Sequence, residues 1–226
     1  MASWPTAIPM THPFNMQSVI IAADAGRLAG DLGLPEQPTG VVLFAHGSGS
    51  GRLSPRNRFV ARTLLEGGFA TLLLDLLMEE EADDRRKVFD IDLLADRLMV
   101  ATDWLVRNPA TKDLPLGYFG ASTGAGAALQ AAARAPESVA AVVSRGGRPD
   151  LAAPFLSDVL APTLLIVGGE DGPVIRMNED ALALLTCPKQ LVIVPGATHL
   201  FEEPGTLEQV AGLARAWFLK HLGRKL

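Results

Sequence analysis

Four segments of this 226-residue chain are continuous apolar runs of strand length: VVLFA at 41–45, TLLLDLL at 71–77, TLLIVG at 163–168 and LVIV at 191–194. A strand with one wet face alternates apolar and polar residues. A run without alternation belongs to a strand buried on both faces, as in a parallel sheet covered by helices. Together with weaker β-type runs they define candidate strands at Ser18–Ala22, Leu28–Leu34, Val41–His46, Ala70–Asp75, Leu116–Phe119, Val139–Ser144, Thr163–Gly168 and Gln190–Val194.

Helical patterns fill the gaps. Ile91, Leu94, Leu98, Ala101 and Leu105 recur at three- and four-residue steps, one face of a helix. Thr206 followed by Gln209 reads as a capping box that starts a last helix, with Leu207, Val210, Leu213, Ala214 and Trp217 as its buried stripe. Pro109 and Pro136 stand where helices must stop. From Val41 onward strand and helix alternate to the end, which predicts an α/β fold with an about eight-stranded, mostly parallel sheet flanked by helices. The first two strands have no helix between them and are expected to pair antiparallel at one edge. The whole of 1–226 reads as a single domain, with 1–17 as an irregular N-terminal segment. The charged run EEEADDRRK at 79–87 reads as a solvated loop between a strand and a helix, with a rim of the site as the alternative.

Composition narrows the function classes. A formal charge of −5 gives nucleic-acid binding no electrostatic support. No apolar stretch approaches the ~18 residues that a membrane span needs. The lone Cys187 cannot form an internal disulfide and is expected as a buried structural residue. No basic start followed by an apolar run marks a secretory signal, so the expected location is cytoplasmic.

In open α/β sheets, ligands bind where the carboxyl ends of the strands meet the loops. Those ends carry the chemistry here. They deliver His46-Gly-Ser-Gly-Ser-Gly51, Asp75, Gly120-Ala-Ser122-Thr-Gly124, Ser144-Arg145-Gly-Gly-Arg148, Gly168-Gly-Glu170-Asp171 and Pro195-Gly-Ala-Thr-His199. A serine, an acid and a histidine follow one another, each just past its own strand. Gly-x-Ser-x-Gly between a strand and a helix is a nucleophile elbow, whose glycines leave room for crossing backbone. A hydroxyl is a weak nucleophile until a base takes its proton. His199 is placed to be that base, with Asp171 or the adjacent Glu170 to orient the imidazole. His46 and Asp75 read as loop braces. Nucleotide and metal readings fail on detail: GSGSGRLS lacks the Walker lysine, and His12, His46, His199 and His221 show no metal-ligand spacing.

With HGSGSG at 46–51, GASTG at 120–124, GGEDGPV at 168–174 and GATHLF at 196–201, the chain from about Ser18 onward resembles an α/β-hydrolase of the capless, dienelactone-hydrolase-like branch. It departs from dienelactone hydrolases proper in carrying serine where they use a cysteine nucleophile. The resemblance favours Asp171 as the acid, because the family's acid precedes a short apolar residue, here Val174, by three. It implies an oxyanion hole from the backbone N–H groups of Thr123 and Ser48, with Gly49 as the alternative to Ser48. Dienelactone hydrolases recognise a substrate carboxylate. Arg145, one residue past an apolar strand, is accordingly a candidate substrate-binding group, against a salt bridge to Asp150, Glu170 or Glu202; Arg148 is expected to be solvated. The gap from Ser144 to Thr163 is too short for a helical cap, so an open site is expected.

The expected function is a serine hydrolase that cleaves an ester, thioester or lactone of a small-molecule acyl substrate through an acyl-enzyme, with no cofactor. The same residues serve an acyltransferase or a peptidase, and the same fold without a working triad serves as a binding or scaffold module. Monomer and homodimer both remain open.

Overall fold

The computed structural model describes residues 14–23 and 26–223; the expectation for 1–17 therefore lies mostly outside the described residues. Asn15–Gln17 already belong to the first strand. The strands are β1 (Asn15–Ala23), β2 (Gly26–Leu34), β3 (Val41–Ala45), β4 (Ala70–Leu74), β5 (Leu116–Ala121), β6 (Ala141–Arg145), β7 (Thr163–Gly168) and β8 (Lys189–Val194). The helices are α1 (Pro55–Glu66), α2 (Arg85–Val88), α3 (Ile91–Arg107), α4 (Thr123–Arg134), α5 (Gly172–Leu184) and α6 (Thr206–Leu222). Short 3₁₀ segments cover Glu79–Glu81 and Pro149–Asp158.

The strands form one eight-stranded sheet in the order β1-β2-β4-β3-β5-β6-β7-β8. β1 and β2 pair antiparallel, as their short connection requires, and β2 runs antiparallel to β4. Every pair from β4 to β8 is parallel. The unalternating runs are central: every residue of β3, β4, β5, β6 and β7 is buried. The two faces of each strand feed two cores. Leu43, Tyr118, Val142 and Leu165 pack with residues of α3, α4 and α5 on one side. Val42, Phe44, Phe119, Val143 and Ile166 pack with α1 and α6 on the other.

The α3 stripe is as expected, with Ile91, Leu94, Leu98, Ala101 and Leu105 all buried. The capping box of α6 does not form. Gly205, at φ 82°, is the N-cap, and Thr206 is already helical, its hydroxyl donating to the Glu203 carbonyl at 2.7 Å. A second correction concerns 79–87, which is not simply solvated. Glu81 is buried and sits between the Arg97 guanidinium, at 2.6 Å and 2.8 Å, and the Lys87 ammonium at 2.8 Å. These bonds, with an N–H from Met78 at 3.0 Å, hold the Glu81 carboxyl down at about 2, the Arg97 bond being the largest cause. A buried carboxylate survives only when paired and hydrogen-bonded in this way. Cys187 is buried near the Thr163 hydroxyl, a structural position.

Candidate active site

β5 ends at Ala121 and α4 starts at Thr123, leaving Ser122 alone to turn the chain. It does so at φ 51° and ψ −122°, a backbone conformation that non-glycine residues avoid. Such an outlier costs on the order of 1–3 kcal/mol and persists only when its surroundings enforce it. Here they do. A Cβ on Gly120 would collide with the backbone of Ala125, and one on Gly124 with the carbonyls of Ala45 and His46. Thr123 through Ala132 are buried without exception, so the alanines and glycines of α4 serve close packing on the sheet.

The segment after β6 fixes the serine from its other side. The Ser122 N–H donates to the Arg145 carbonyl at 3.2 Å, and the Arg148 N–H donates to the Ser122 carbonyl at 3.0 Å. Asn178, buried in α5, supports that segment by donating to the Gly147 carbonyl at 3.0 Å and the Val174 carbonyl at 2.8 Å. The His199 ring rests against Gly146, where a Cβ would lie 3.5 Å from Cε1 and Nδ1. Serine and histidine are thus both seated on residues 145–148.

His199 Nδ1 lies 2.6 Å from Asp171 Oδ2. A carboxylate only accepts, so Nδ1–H donates, and in the neutral ring Nε2 then carries the lone pair. Asp171 stands at the N-cap of α5 yet makes no capping bond; its carboxylate is spent on the histidine. Glu170, the competing acid, is exposed. The histidine loop is pinned on both flanks. Glu203 accepts from the Thr198 N–H at 3.1 Å and its hydroxyl at 2.6 Å. Phe201, buried in the core, turns the chain at φ 56°.

On the opposite side runs the loop after β3. A Cβ on Gly47 would come within 2.8 Å of Ser122 Cβ, so the loop touches the serine directly. The Ser50 N–H closes a turn on the Gly47 carbonyl at 3.2 Å, presenting Ser48 and Gly49. Buried His46 braces this loop, with Nδ1 3.0 Å from the Gly47 carbonyl and Nε2 accepting the Leu76 N–H at 2.8 Å. Burial lowers its pKa, so the ring is neutral. Asp75 adds a second tie, accepting from the Arg52 N–H at 2.6 Å and its guanidinium at 3.2 Å. Both residues are the braces that the sequence suggested. Thr123, as first residue of α4, has an N–H without an intrahelical acceptor.

Ser48, Gly49 and Thr123 line a cavity of about 880 Å³. The 77–88 excursion lines it too, with Glu79, Glu80 and Asp83, as do Arg27 and Arg52. The missing cap therefore leaves a walled cleft, because the excursion anchored by Glu81 fills part of that role. Arg145 does not line it. Ala141 and Val143 face α1 and α6, and strand alternation places Arg145 on that same face. Nor does Arg145 pair with an acid among the described residues. Asp150 binds Arg148 at 2.7 Å and 2.8 Å, which leaves Arg148 paired rather than merely solvated. Glu202 binds Arg56 at 3.2 Å. The local pattern gave no sign of the contacts of Gly47 with Ser122 and of Asn178 with Gly147, since each partner lies on another element.

Residues 28–219 match the family model described as the dienelactone hydrolase family. A solved dienelactone hydrolase from Anabaena variabilis is 59% identical, covers 93% of this chain and all of its own, and superposes at a TM-score of 0.91. A Xanthomonas campestris structure described as a serine hydrolase without lid shares the fold at a TM-score of 0.74 and 22% identity, with 92% of this chain and 96% of that one covered. Two Mycobacterium tuberculosis relatives, 60% identical over 210 residues, bear the name "Putative phosphoribosyl transferase". The match takes in 93% of this chain and 47% of theirs, so the chain spans about half the length of those curated relatives. No described helix is long and apolar enough to cross a membrane.

Proposed function

The chain belongs to the dienelactone hydrolase family, and from that premise we propose that it is a serine hydrolase cleaving an ester, thioester or lactone through an acyl-enzyme. Ser122 attacks the acyl carbon while His199 Nε2 takes its proton. Asp171 holds Nδ1–H and stabilises the imidazolium that forms. The tetrahedral oxyanion takes hydrogen bonds from the backbone N–H groups of Thr123 and Ser48, donors fixed before the charge develops. His199 then returns the proton to the leaving oxygen or sulfur. The acyl-enzyme forms by release of that group; water, deprotonated by the same histidine, attacks the acyl carbon, and His199 returns that proton to Ser122 Oγ as the acid leaves.

The observation that carries this reading is the left-handed backbone of Ser122. A turn needs no serine there, and glycine would relieve the strain. A serine kept at that cost, seated on the same 145–148 segment as a histidine already bound to a carboxylate, is accounted for by nucleophilic chemistry. A fluorophosphonate probe tests it. The reading requires stoichiometric labelling at Ser122 in folded protein; absence of labelling would sink it and favour a binding module of the same fold.

A further inference from the structure

The Gly47–Ser48 peptide carries the proposed oxyanion donor, the Ser48 N–H, and its orientation is held from outside. Gly47 has no side chain to fix it, since a Cβ would come within 2.8 Å of Ser122 Cβ, and glycine backbone turns most freely. In a planar trans peptide the C=O and N–H point opposite ways, so whatever grips the Gly47 carbonyl aims the Ser48 N–H. The Ser50 N–H grips it at 3.2 Å and His46 Nδ1 at 3.0 Å. His46 Nε2 accepts the Leu76 N–H at 2.8 Å, which puts the proton of the neutral ring on Nδ1 and makes that nitrogen the donor. The Leu76 carbonyl in turn accepts from Arg97 Nη1 at 2.6 Å. Arg97, 4% exposed, is forked onto both oxygens of Glu81. We propose that Arg97 is a positioning residue: through Leu76 and His46 it orients the Gly47–Ser48 peptide and so aims the Ser48 N–H into the site.

Arg97 holds the 77–88 excursion through Glu81; its bond to the Leu76 carbonyl is a separate use of the same guanidinium. That bond falls on the residue of the loop after β4 that reaches His46. A charge-assisted hydrogen bond is shorter and stronger than a neutral one, and this one is buried. Residues 75 and 76 grip the loop after β3 at both ends, Leu76 through His46 and Asp75 through the Arg52 N–H at 2.6 Å. Arg97 secures that grip from α3, which is packed into the core by Leu94, Leu98 and Ala101. An oxyanion donor acts to full effect only when it is fixed before the charge develops. The role in turnover rests on the hydrolase reading above; the link from Arg97 to Ser48 does not.

The test follows the Ser48 amide resonance by NMR of the nitrogen-labelled full chain, with kcat and KM on p-nitrophenyl butyrate in parallel. Arg97→Lys keeps the charge beside Glu81 and loses the planar fork. His46→Asn keeps an amide near the Nδ1 position but has no acceptor for the Leu76 N–H, which cuts the link one step later. Each should shift the Ser48 resonance and lower kcat about tenfold or more with KM unchanged, because the lost interaction is made in the transition state. The double variant should be no worse than either single one, since one link is cut twice. Leu98→Ala, the next residue of α3 and fully buried, destabilises the core without touching the link; it should leave the resonance and kcat as in wild type. His46→Asn carries the test if Arg97→Lys does not fold. An unmoved Ser48 resonance in the link variants would overturn the proposal, whether or not the protein is a hydrolase. So would a moved resonance with kcat unchanged, additive losses in the double variant, or equal losses in Leu98→Ala. If wild type neither takes the fluorophosphonate label nor turns over the ester, the hydrolase reading has failed. A resonance shift shared by the two link variants then still supports the link, and its absence still overturns it.

Discussion

His46 Nε2 accepts the Leu76 N–H at 2.8 Å, tying the loop after β3 to the loop after β4 across thirty residues of sequence. One buried imidazole thereby sets the position of Gly47 against Ser122 and starts the excursion that walls the cavity. The tie holds only while the ring is neutral. Its pKa is lowered from 6.5 by burial, so the unfolded chain binds a proton before the folded one does. Stability from this group is present above pH 6.5 and is lost as the pH falls from there toward the folded pKa. His46→Gln should flatten that part of a urea-denaturation series run between pH 7 and pH 5. An unchanged slope would show that His46 does not titrate between the two states.

Ser122→Ala should lower kcat by about three orders of magnitude or more with the melting temperature retained, since alanine keeps the Cβ and the backbone turn while removing the hydroxyl. His199→Ala should act alike, and the double variant should be little worse than either single one, because the pair works as a unit. Additive losses on a p-nitrophenyl ester would separate the two residues.

Gly47→Ala tests the loop beside the nucleophile. The added methyl would lie 2.8 Å from Ser122 Cβ and 3.0 Å from the Ala121 carbonyl, so serine or loop must move. Displacement of about an ångström should cost about a hundredfold in kcat. Circular dichroism should stay near that of wild type, and full activity in this variant would mean that the loop is compliant.

Glu81 and Arg97 anchor the cavity wall. Glu81→Gln leaves a buried guanidinium uncompensated and should destabilise the fold by about 3–5 kcal/mol in urea. The depressed Glu81 pKa also sets an acid limit. Its contribution is complete above the ordinary value of 4.5 and fades as the pH falls toward about 2. Wild type should therefore lose more stability over that window than Glu81→Gln; parallel curves would contradict the assignment.

Sequence alone determined the parts that depend on local pattern. Unalternating runs of strand length, separated by helical patterns, read as strands buried on both faces, so the central sheet follows from them. Gly120-x-Ser122-x-Gly124 reads as a nucleophile elbow because it stands between a strand and a helix, and each strand end delivers its own loop to one edge. The tertiary structure decided whatever depends on a partner distant in sequence. Asp171 rather than Glu170 meets His199 across 28 residues, because α5 leaves the first facing the ring and the second in water. Glu81 looked like any residue of a charged run until Arg97, one helix later, made its burial tolerable. Thr206 and Gln209 had the letters of a capping box, but Gly205 took the cap once the chain had turned at Glu203. Arg145 shows the same division most sharply: its place at the end of a buried strand was plain in the sequence, while only the packed elements show that Asp150 and Glu202 pair with Arg148 and Arg56 instead. Charge pairing is settled by which groups the packed elements bring within a few ångströms, and residue order does not encode that distance.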